Sequence, residues 1–251
     1  MPGTAKEKKE ASFFQKPNID KPGSLRSQLD GRRVFLSVKR AIDFLFSLCV
    51  IILVLSWLLP LLAILIKLDS RGPVFFVQRR VGFLGKAFHC IKLRTMIVNA
   101  YSDQHQAIPN DPRITGLGKF LRLTSLDELP QFLNVFIGDM SIVGPRPHMN
   151  KDNSEFGKIV ENYRLRSFLK PGITGMAQVK GYRGPAKDFN SIFHRYQWDA
   201  FYVRNADPLL DIKIVRQTAL QVMKSIVFFK NDKKKEKNGS DLILAVQLSA
   251  E

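Results

Sequence analysis

The chain has 251 residues, 45% of them hydrophobic, which allows one or two domains with a substantial core. Thirty-nine Lys and Arg against 22 Asp and Glu give a formal charge of +17, so the surface should attract nucleic acid, an anionic membrane face or a phosphorylated substrate. The two cysteines, Cys49 and Cys90, exclude a disulfide framework and a zinc site and fit a reducing, cytosolic setting for the polar part.

The two ends of the chain differ in composition from its centre. Residues 1–30 are polar and interrupted by Pro and Gly, so we expect them to be disordered. Residues 231–251 form a basic linker and tail whose charge favours attraction to a membrane surface. The composition divides what lies between into a membrane-associated segment, residues 31–68, and a larger core with amphipathic helices, residues 69–230, in which the candidate functional residues lie.

One long apolar run lies near the start of this central part. From Phe44 to Ile66 the sequence contains 23 residues without a charge, which meets the length requirement of a membrane helix. About 43 residues precede the run and no small-residue cleavage site follows it, so a signal peptide is not indicated. The alternative is a buried helix of a soluble protein, but such helices rarely stay uncharged on every face for this length.

The path of this run through the bilayer depends on Pro60. A straight helix of 23 residues reaches roughly 34 Å and could span. Pro60 should break the helix, with Ser56 available to satisfy a freed backbone group, and the first part, residues 44–59, then reaches only about 24 Å. Basic residues flank the run on both sides, and the positive-inside rule places both flanks in the cytoplasm. We therefore favour a re-entrant hairpin over a spanning helix.

The core begins with a predicted β-hairpin and continues with helices. The hairpin pairs residues 72–82 with residues 87–96. Hydrophobic periodicity predicts the following helices: 118–125, 129–138, 158–169, 189–205 and 207–229. The last helix places five apolar residues roughly on one face, Leu209, Ile212, Val215, Ala219 and Val222. This face could lie on the bilayer surface or pack against other helices.

Two adjacent carboxylates, Asp127 and Glu128, lie between a hydroxyl pair and a proline. Ser125 followed three residues later by Glu128 fits a capping box. Pro130 opposes a helix that begins at Ser125, because its missing N–H would cost a bond just past the first turn, so a start near Leu129 is as plausible. Either start places both acids beside the positive end of a helix, where a phosphate or its metal complex is also favoured.

Three segments around this pair are suited to phosphate binding. Residues 110–122 contain Arg113, Lys119 and Arg122; residues 138–148 hold Arg146 between two prolines; residues 170–184 form a glycine-rich loop that ends in Arg183. The guanidinium fork matches phosphate oxygens, and flanking Pro or Gly can fix the backbone so that donors converge on an anion. Each segment alone also fits a rigid turn with a solvated arginine.

Taken in order, these motifs resemble the bacterial sugar transferase family, the monotopic polyprenyl-phosphate hexose-1-phosphate transferases or phosphoglycosyl transferases. The resemblance covers residues 39–229 and is most specific in SLDELPQ followed by GDMSIVGPRP; GPRPH and KPGITGMAQVKGYRG are closest to the undecaprenyl-phosphate glucose phosphotransferase subgroup. Larger members carry further membrane helices and a further domain in front of this core, so the chain resembles the minimal form.

The resemblance implies the reaction and the fold. Such enzymes transfer a hexose-1-phosphate from a UDP-sugar to undecaprenyl phosphate, release UMP and start a lipid-linked glycan at the cytoplasmic face of the bacterial inner membrane. The expected fold is mainly α with a small β-hairpin, a monotopic membrane protein with one proline-broken re-entrant helix and surface amphipathic helices. The family break is often Ser-Pro, whereas this chain has Leu59-Pro60 with its serine at position 56.

The resemblance also assigns residues. Asp127 would attack the β-phosphorus and form an aspartyl phosphosugar, and Asp127 and Glu128 with the diphosphate would hold Mg²⁺, which prefers hard oxygen ligands. Lys92, Arg122 and Arg146 match basic positions of the family core, and Asp199 matches another of its active-site acids. Arg113 and Arg183 are added as phosphate-binding candidates from their loops.

Other functions remain as alternatives at this level. A membrane-tethered nucleic-acid-binding module would also explain the charge of +17, but no helix-turn-helix, zinc-ligand set or aromatic RNA-binding signature is evident, so we expect no nucleic-acid partner. A non-catalytic membrane scaffold is opposed by the ordered acid and arginine motifs. The sequence leaves open the sugar, with glucose ahead of galactose or an N-acetylated sugar, as well as the glycan pathway and whether the chain forms a homo-oligomer.

Overall fold

The computed structural model describes residues 32–98, 111–184 and 188–227. The chain falls into two units, Met1–Val38 and Lys39–Glu251. The predicted disordered and tail segments, 1–30 and 231–251, lie outside the described residues. Most of the described chain is helical, with one small antiparallel hairpin, so the predicted fold class is confirmed at that level.

The elements follow each other as short helices around two small sheets. The helices are α1 (Arg33–Val50), α2 (Ser56–Asp69), α3 (Gly116–Thr124), α4 (Gln131–Ile137), α5 (Asn150–Ile159), α6 (Met176–Val179), α7 (Phe189–Asn205) and α8 (residues 208–227). The strands are β1 (Phe75–Val81), β2 (Ala87–Leu93), β3 (Ser141–Val143) and β4 (Gly172–Thr174). Single turns of 3₁₀-helix lie at Phe83–Gly85 and Leu126–Glu128, and a longer one at Tyr163–Phe168.

The apolar run forms one helical stretch, Arg33–Asp69, long and apolar enough to cross a membrane. Helices α1 and α2 are joined by a π-helical segment, Ile51–Leu55, and the helix continues through Pro60. The Ser56 hydroxyl donates to the Ile52 carbonyl at 2.6 Å, within the region where the normal backbone ladder is altered. The irregularity thus lies before the proline. The proline-broken, re-entrant path is not confirmed and stays a prediction.

One stripe of this helix contacts the rest of the core, and most of its surface does not. Leu62 and Ile66 are buried in a cluster with Leu93 of β2 and Leu121 of α3. In the most apolar window of the helix only 17% of the residues are buried. A core helix of a soluble protein would be mostly buried, so this exposure favours contact with lipid.

The predicted β-hairpin is confirmed. Strands β1 and β2 pair antiparallel with Phe75 opposite Leu93 and Val81 opposite Ala87. Asn134 of α4 fastens to β2, because its Oδ1 accepts from the Ile91 amide at 3.0 Å and its Nδ2 donates to the His89 carbonyl at 2.7 Å. This contact sets the chain immediately before α4 beside Lys92 of β2.

Two glycine-containing segments of the chain pack backbone against backbone. Strands β3 and β4 form a short parallel pair, with Ser141 opposite Gly172 and Val143 opposite Thr174, which the sequence did not predict. A Cβ on Gly172 would lie 2.1 Å from the Gly144 nitrogen, and one on Gly144 would lie 2.3 Å from the Lys170 carbonyl oxygen. These glycines therefore permit the close approach of the two segments.

The predicted helix over residues 158–169 is wrong. Helix α5 ends at Ile159, and the 3₁₀ turn begins at Tyr163. Between them Val160 is extended and Asn162 has φ 58°, a left-handed conformation that Asn adopts more readily than most residues. The break allows Tyr163 and Arg166 to point into the protein, where both are buried.

Helix α8 packs with a different face from the predicted apolar one. Ile214 is 1% exposed, and the Thr218 hydroxyl lies 2.6 Å from that of Thr174. Leu209 and Ile212, which belong to the predicted apolar face, are 69% and 64% exposed. The helix is therefore attached to the core through one face and leaves its most apolar face uncovered, which favours the bilayer-surface interpretation over simple helix packing.

Candidate active site

The two acids lie in the 3₁₀ turn between α3 and α4. Ser125 ends α3 in a left-handed conformation, with φ 61°, and its side chain makes no capping bond. The Glu128 amide instead donates to the Ser125 carbonyl at 3.1 Å, so the predicted capping box is wrong. Pro130 precedes the first residue of α4, Gln131, close to the alternative start predicted near Leu129.

Glu128 is the point at which the basic residues converge. Its Oε1 accepts from Lys92 Nζ at 2.8 Å and from Arg146 Nη2 at 2.9 Å, and its Oε2 accepts from Arg183 Nη2 at 3.2 Å. Burial would raise the pKa of this carboxyl, but the charges of Arg146, Lys92 and Arg183 together hold it well below its usual range. Glu128 is thus ionised at neutral pH and binds three cations from three separate segments of the chain.

Asp127, its neighbour, has no such partners. Within the described part of the chain no hydrogen bond or ion pair reaches its carboxylate, although the residue is buried. Burial and the adjacent negative charge of Glu128 raise its pKa to about 6, and the charges of Lys92, Arg122 and Arg183 oppose that shift. At neutral pH Asp127 is an ionised carboxylate that has no hydrogen bond to the described residues, and the charges of Lys92, Arg122 and Arg183 act on it. This combination suits a nucleophile directed at a phosphate.

Two further predicted basic residues, Arg122 and Arg113, bond to residues other than the acidic pair. Arg122, at the end of α3, donates through Nε to the Thr95 hydroxyl at 2.7 Å and contributes positive charge at Asp127. Arg113 instead forms a two-pronged pair with Asp111, through Nε at 2.9 Å and Nη2 at 2.7 Å. The structure therefore brings Lys92, Arg146 and Arg183 onto Glu128 but pairs Arg113 elsewhere.

Asp199 lies behind the site. It is 1% exposed, and its Oδ2 accepts from Arg166 Nη2 at 2.6 Å and Nε at 3.0 Å. Arg166 Nη2 also donates to the Arg146 carbonyl at 2.6 Å. Asp199 thus acts on the acidic pair through Arg166 and the backbone of Arg146.

The sequence analysis missed two arginines that hold the Pro-Arg-Pro turn. Arg166 donates to the Arg146 carbonyl, and Arg80 of β1 donates through Nη1 to the Pro147 carbonyl at 2.7 Å. Arg80 is fixed in turn by Gln78, whose side-chain oxygen accepts from Arg80 Nε at 3.0 Å and Nη2 at 2.6 Å. The sequence did contain a signal for both, since Arg166 lies among apolar residues and Arg80 lies on the inward face of the predicted hairpin. A single arginine in an apolar pattern does not, however, identify a functional residue.

His148 follows the same turn and is buried. The Tyr163 hydroxyl and His148 Nδ1 share a hydrogen bond of 2.6 Å. Burial, together with the charges of Arg166, Arg195, Arg80 and Arg146, holds the pKa of His148 well below its usual range. The imidazole is therefore neutral in the folded protein, and it must gain a proton on unfolding in acid.

This gives a pH-dependent stability. The unfolded chain binds the extra proton below about pH 6.5, so His148 should lower the free energy of unfolding as the pH falls, by at most about 1.4 kcal/mol per pH unit. Asp127 acts in the opposite sense below pH 6, because its raised pKa favours the protonated folded state. We expect His148→Gln to reduce the loss of melting temperature between pH 7.5 and 5.5 in detergent micelles. An unchanged slope in this variant would contradict a neutral His148.

The donor set fits a magnesium ion that is completed by substrate. Asp127 and Glu128 supply hard oxygens, and Mg²⁺ in proteins is often held by one or two carboxylates with substrate phosphates and water. No cluster of three or more metal-ligating side chains occurs in the described ranges, so the described residues alone do not form a closed cage. Among the residues that the structure describes, none bonds to the Asp127 oxygens, and Glu128 Oε2 has one contact, 3.2 Å to Arg183.

Comparison with known proteins identifies the same core elsewhere. The chain is 47% identical over 182 residues to a UDP-glucose:undecaprenyl-phosphate glucose-1-phosphate transferase of Xanthomonas campestris pv. campestris, covering 70% of this chain and 37% of that protein. It is 42% identical over 190 residues to exopolysaccharide production protein PSS of Rhizobium leguminosarum bv. phaseoli, covering 74% of this chain and 94% of that protein. The chain therefore matches well under half the length of the first relative and nearly the whole of the second.

A more distant relative has a different donor in its name. The UDP-N-acetylgalactosamine-undecaprenyl-phosphate N-acetylgalactosaminephosphotransferase of Aeromonas hydrophila is 38% identical over 193 residues, covering 76% of this chain and 44% of that protein. The family described as bacterial sugar transferase matches residues 34–225, which include nearly all of α1 and all residues of the acidic pair and its cations. The chain belongs to the bacterial sugar transferase family.

Proposed function

We propose that this protein transfers a hexose-1-phosphate from a UDP-sugar to undecaprenyl phosphate, giving undecaprenyl-diphosphate-sugar and UMP. The observation that carries this proposal is that the two adjacent acids differ in their hydrogen bonding. Asp127 has no hydrogen-bond partner among the described residues, whereas Glu128 binds Lys92, Arg146 and Arg183. A free carboxylate beside a cluster of phosphate-binding cations suits phosphoryl transfer, which depends mainly on positioning and charge neutralisation.

The first step would form a covalent intermediate. An Asp127 oxygen attacks the β-phosphorus of the donor, the bond from that phosphorus to the bridging oxygen breaks, and UMP leaves with the electron pair. The sugar-1-phosphate is then an aspartyl phosphosugar. Lys92, Arg146 and Arg183 neutralise the phosphate oxygens, and each could exchange part of its contact with Glu128 for a contact with substrate.

The second step would return the enzyme to its initial state. A phosphate oxygen of undecaprenyl phosphate attacks the same phosphorus, the bond to Asp127 breaks, and the carboxylate is regenerated. Bound Mg²⁺, held by Asp127 and Glu128 Oε2 with the phosphates, would supply further charge neutralisation. Arg166 and Arg80 keep the Arg146 backbone in position during both steps, through their bonds to the carbonyls of the turn.

The location follows from the two substrates. One is soluble and the other is tethered in the bilayer, so the acidic pair must lie at headgroup level on the cytoplasmic face of the inner membrane. The exposed apolar residues of α2 and α8 support insertion of both into one leaflet, with α1 and α2 as a re-entrant pair and α8 on the surface. This step would start the assembly of an exopolysaccharide, a capsule or another glycan.

The sugar is proposed as glucose. The subgroup resemblance and the name of the Xanthomonas relative support it, while the Aeromonas relative names an N-acetylated sugar. The purified protein should be assayed for UMP release with undecaprenyl phosphate, Mg²⁺ and a panel of UDP-glucose, UDP-galactose and UDP-N-acetylhexosamines. UMP release that depends on both lipid and donor is the expected result. No release from any UDP-sugar would overturn the proposed function.

Arg146 gives a test of the cation cluster. We expect Arg146→Ala to lower kcat/KM for the donor by about 10²- to 10³-fold, since one preorganised donor to the transition state is lost. The melting temperature should change little, because Lys92 and Arg183 still neutralise Glu128. Arg164→Ala, which removes an exposed arginine, is the matched control and should retain activity. If Arg146→Ala lowered the melting temperature while the folded protein kept the wild-type kcat/KM, Arg146 would serve only to hold the turn.

A further inference from the structure

A small cavity is lined in part by Glu128 and Arg183. Its volume is about 70 Å³. The rest of the lining is made of uncharged polar and apolar side chains from the turn between α3 and α4, from α4, β4, α6 and α8. The polar members relevant here are Ser125, Thr174, Gln178 and Thr218; the apolar ones include Phe132 and Ile173.

Two polar atoms of this lining have no partner in the described structure. They are Ser125 Oγ and Gln178 Oε1, both buried. Gln178 is 7% exposed, and its other terminal atom, Nε2, donates to the Ile173 carbonyl at 3.2 Å, which leaves the oxygen as an unused acceptor. Buried polar atoms normally find a partner, so two orphans around one cavity indicate that a ligand or water supplies it.

The threonine pair adds a third acceptor. Thr218 donates its hydroxyl proton to the Ile214 carbonyl at 2.9 Å, so in its 2.6 Å contact with Thr174 the Thr174 hydroxyl is the donor. Thr174 Oγ1 then retains lone pairs that no hydrogen bond described here uses. The lining therefore contains three side-chain oxygens with unused acceptor capacity, those of Ser125, Gln178 and Thr174, and the Ser125 hydroxyl can also donate.

We propose that this cavity, whose volume of about 70 Å³ is too small for a whole hexose ring, receives one hydroxyl-bearing edge of the donor sugar. Ser125 and Gln178 recognise the hydroxyl groups on that edge, an inference that rests on the proposed function. Sugar hydroxyls would donate to Gln178 Oε1 and Thr174 Oγ1, and the carbon atoms of that edge would lie against Phe132 and Ile173. The attached phosphate then faces Arg183 and the acidic pair. An isoprene chain would leave all three acceptors unsatisfied, which disfavours the lipid as occupant.

Two variants test this assignment. Ser125→Ala and Gln178→Leu remove the two unpartnered atoms, and Ser141→Ala is the matched control, since Ser141 Oγ is also buried and unpartnered but does not line the cavity. We expect each cavity variant to lower kcat/KM for the preferred UDP-sugar by about tenfold per lost hydrogen bond. The loss should be smaller for a donor that lacks the contacted hydroxyl. In a series of UDP-deoxyglucoses, each missing one sugar hydroxyl, the kcat/KM ratio between UDP-glucose and one of the deoxy donors should therefore shrink.

The readouts separate the possible outcomes. A general structural effect would lower kcat/KM for all donors equally and leave the ratio unchanged, which would overturn the inference. A rise in KM for undecaprenyl phosphate at constant donor selectivity would assign the cavity to the lipid and overturn it too. If Gln178→Leu fails to fold, Ser125→Ala alone decides by the same ratio. Failure of the wild-type protein to release UMP from any donor would instead overturn the proposed function.

Discussion

Asp127→Asn should abolish UMP release. We expect a fall of at least about 10³-fold, because Asn keeps the shape of the side chain but cannot attack phosphorus. The neighbouring Glu128 cannot replace it, since both of its oxygens accept bonds from Lys92, Arg146 and Arg183. The loss should therefore appear with every UDP-sugar and at every Mg²⁺ concentration.

The same change should not destabilise the protein. Asp127 is buried with its pKa raised to about 6, so its ionised form opposes folding at neutral pH, by up to about 3 kcal/mol. The Asp127→Asn substitution would remove that charge and its repulsion with Glu128. We expect the melting temperature at pH 7.5 to stay constant or rise while activity disappears, a combination that marks a residue retained for function.

A measurement without acceptor isolates the covalent step. Wild-type protein mixed with UDP-sugar and Mg²⁺, but no undecaprenyl phosphate, should release about one UMP per active site in a burst, and Asp127→Asn should release none. Glu155→Gln, the same kind of change at an exposed carboxylate, should keep the burst. Wild-type-like turnover of Asp127→Asn with acceptor present would remove Asp127 from the nucleophile role.

Local patterns in the sequence were sufficient for the elements and for the acidic pair. The helix over residues 189–205 and the hairpin were predicted because period and turn residues are local signals. Asp127, Glu128 and Arg146 were selected by motif order, and the ion pair at 2.9 Å between Arg146 and Glu128 joins two of those motifs in space. The order of motifs does not predict which acidic residue each basic residue will pair with. Arg113, for example, pairs with Asp111.

Long-range backbone contacts account for the rest. The parallel pairing of β3 with β4 connects residues about 30 positions apart over only three residues each, too short for any periodicity. The backbone of Ser125 is left-handed. This conformation is set by the turn between two helices and is rare for Ser, so the sequence does not indicate it. The face of α8 that packs is likewise selected by Thr174, since propensity and apolar spacing do not identify a partner.

The second large effect is expected at the buried pair behind the site. Arg166 and Asp199, 5% and 1% exposed at their side chains, are joined at 2.6 Å. Removing either partner leaves an unpaired charge in a buried setting, so we expect Asp199→Leu and Arg166→Met each to lower the free energy of unfolding by about 3–5 kcal/mol. The double variant should lose much less than the sum, because no buried charge remains.

Activity then distinguishes a structural pair from a positioning one. Arg166 also donates to the Arg146 carbonyl, so the double variant should fold stably yet retain a kcat at least about tenfold below that of the wild-type protein, since Arg146 is no longer held toward Glu128. Unfolding in detergent micelles and UMP release would be measured on all four proteins. If the double variant regained wild-type kcat along with its stability, Arg166 would act in folding alone; stability losses that simply add would show that the two residues do not form the coupled pair described here.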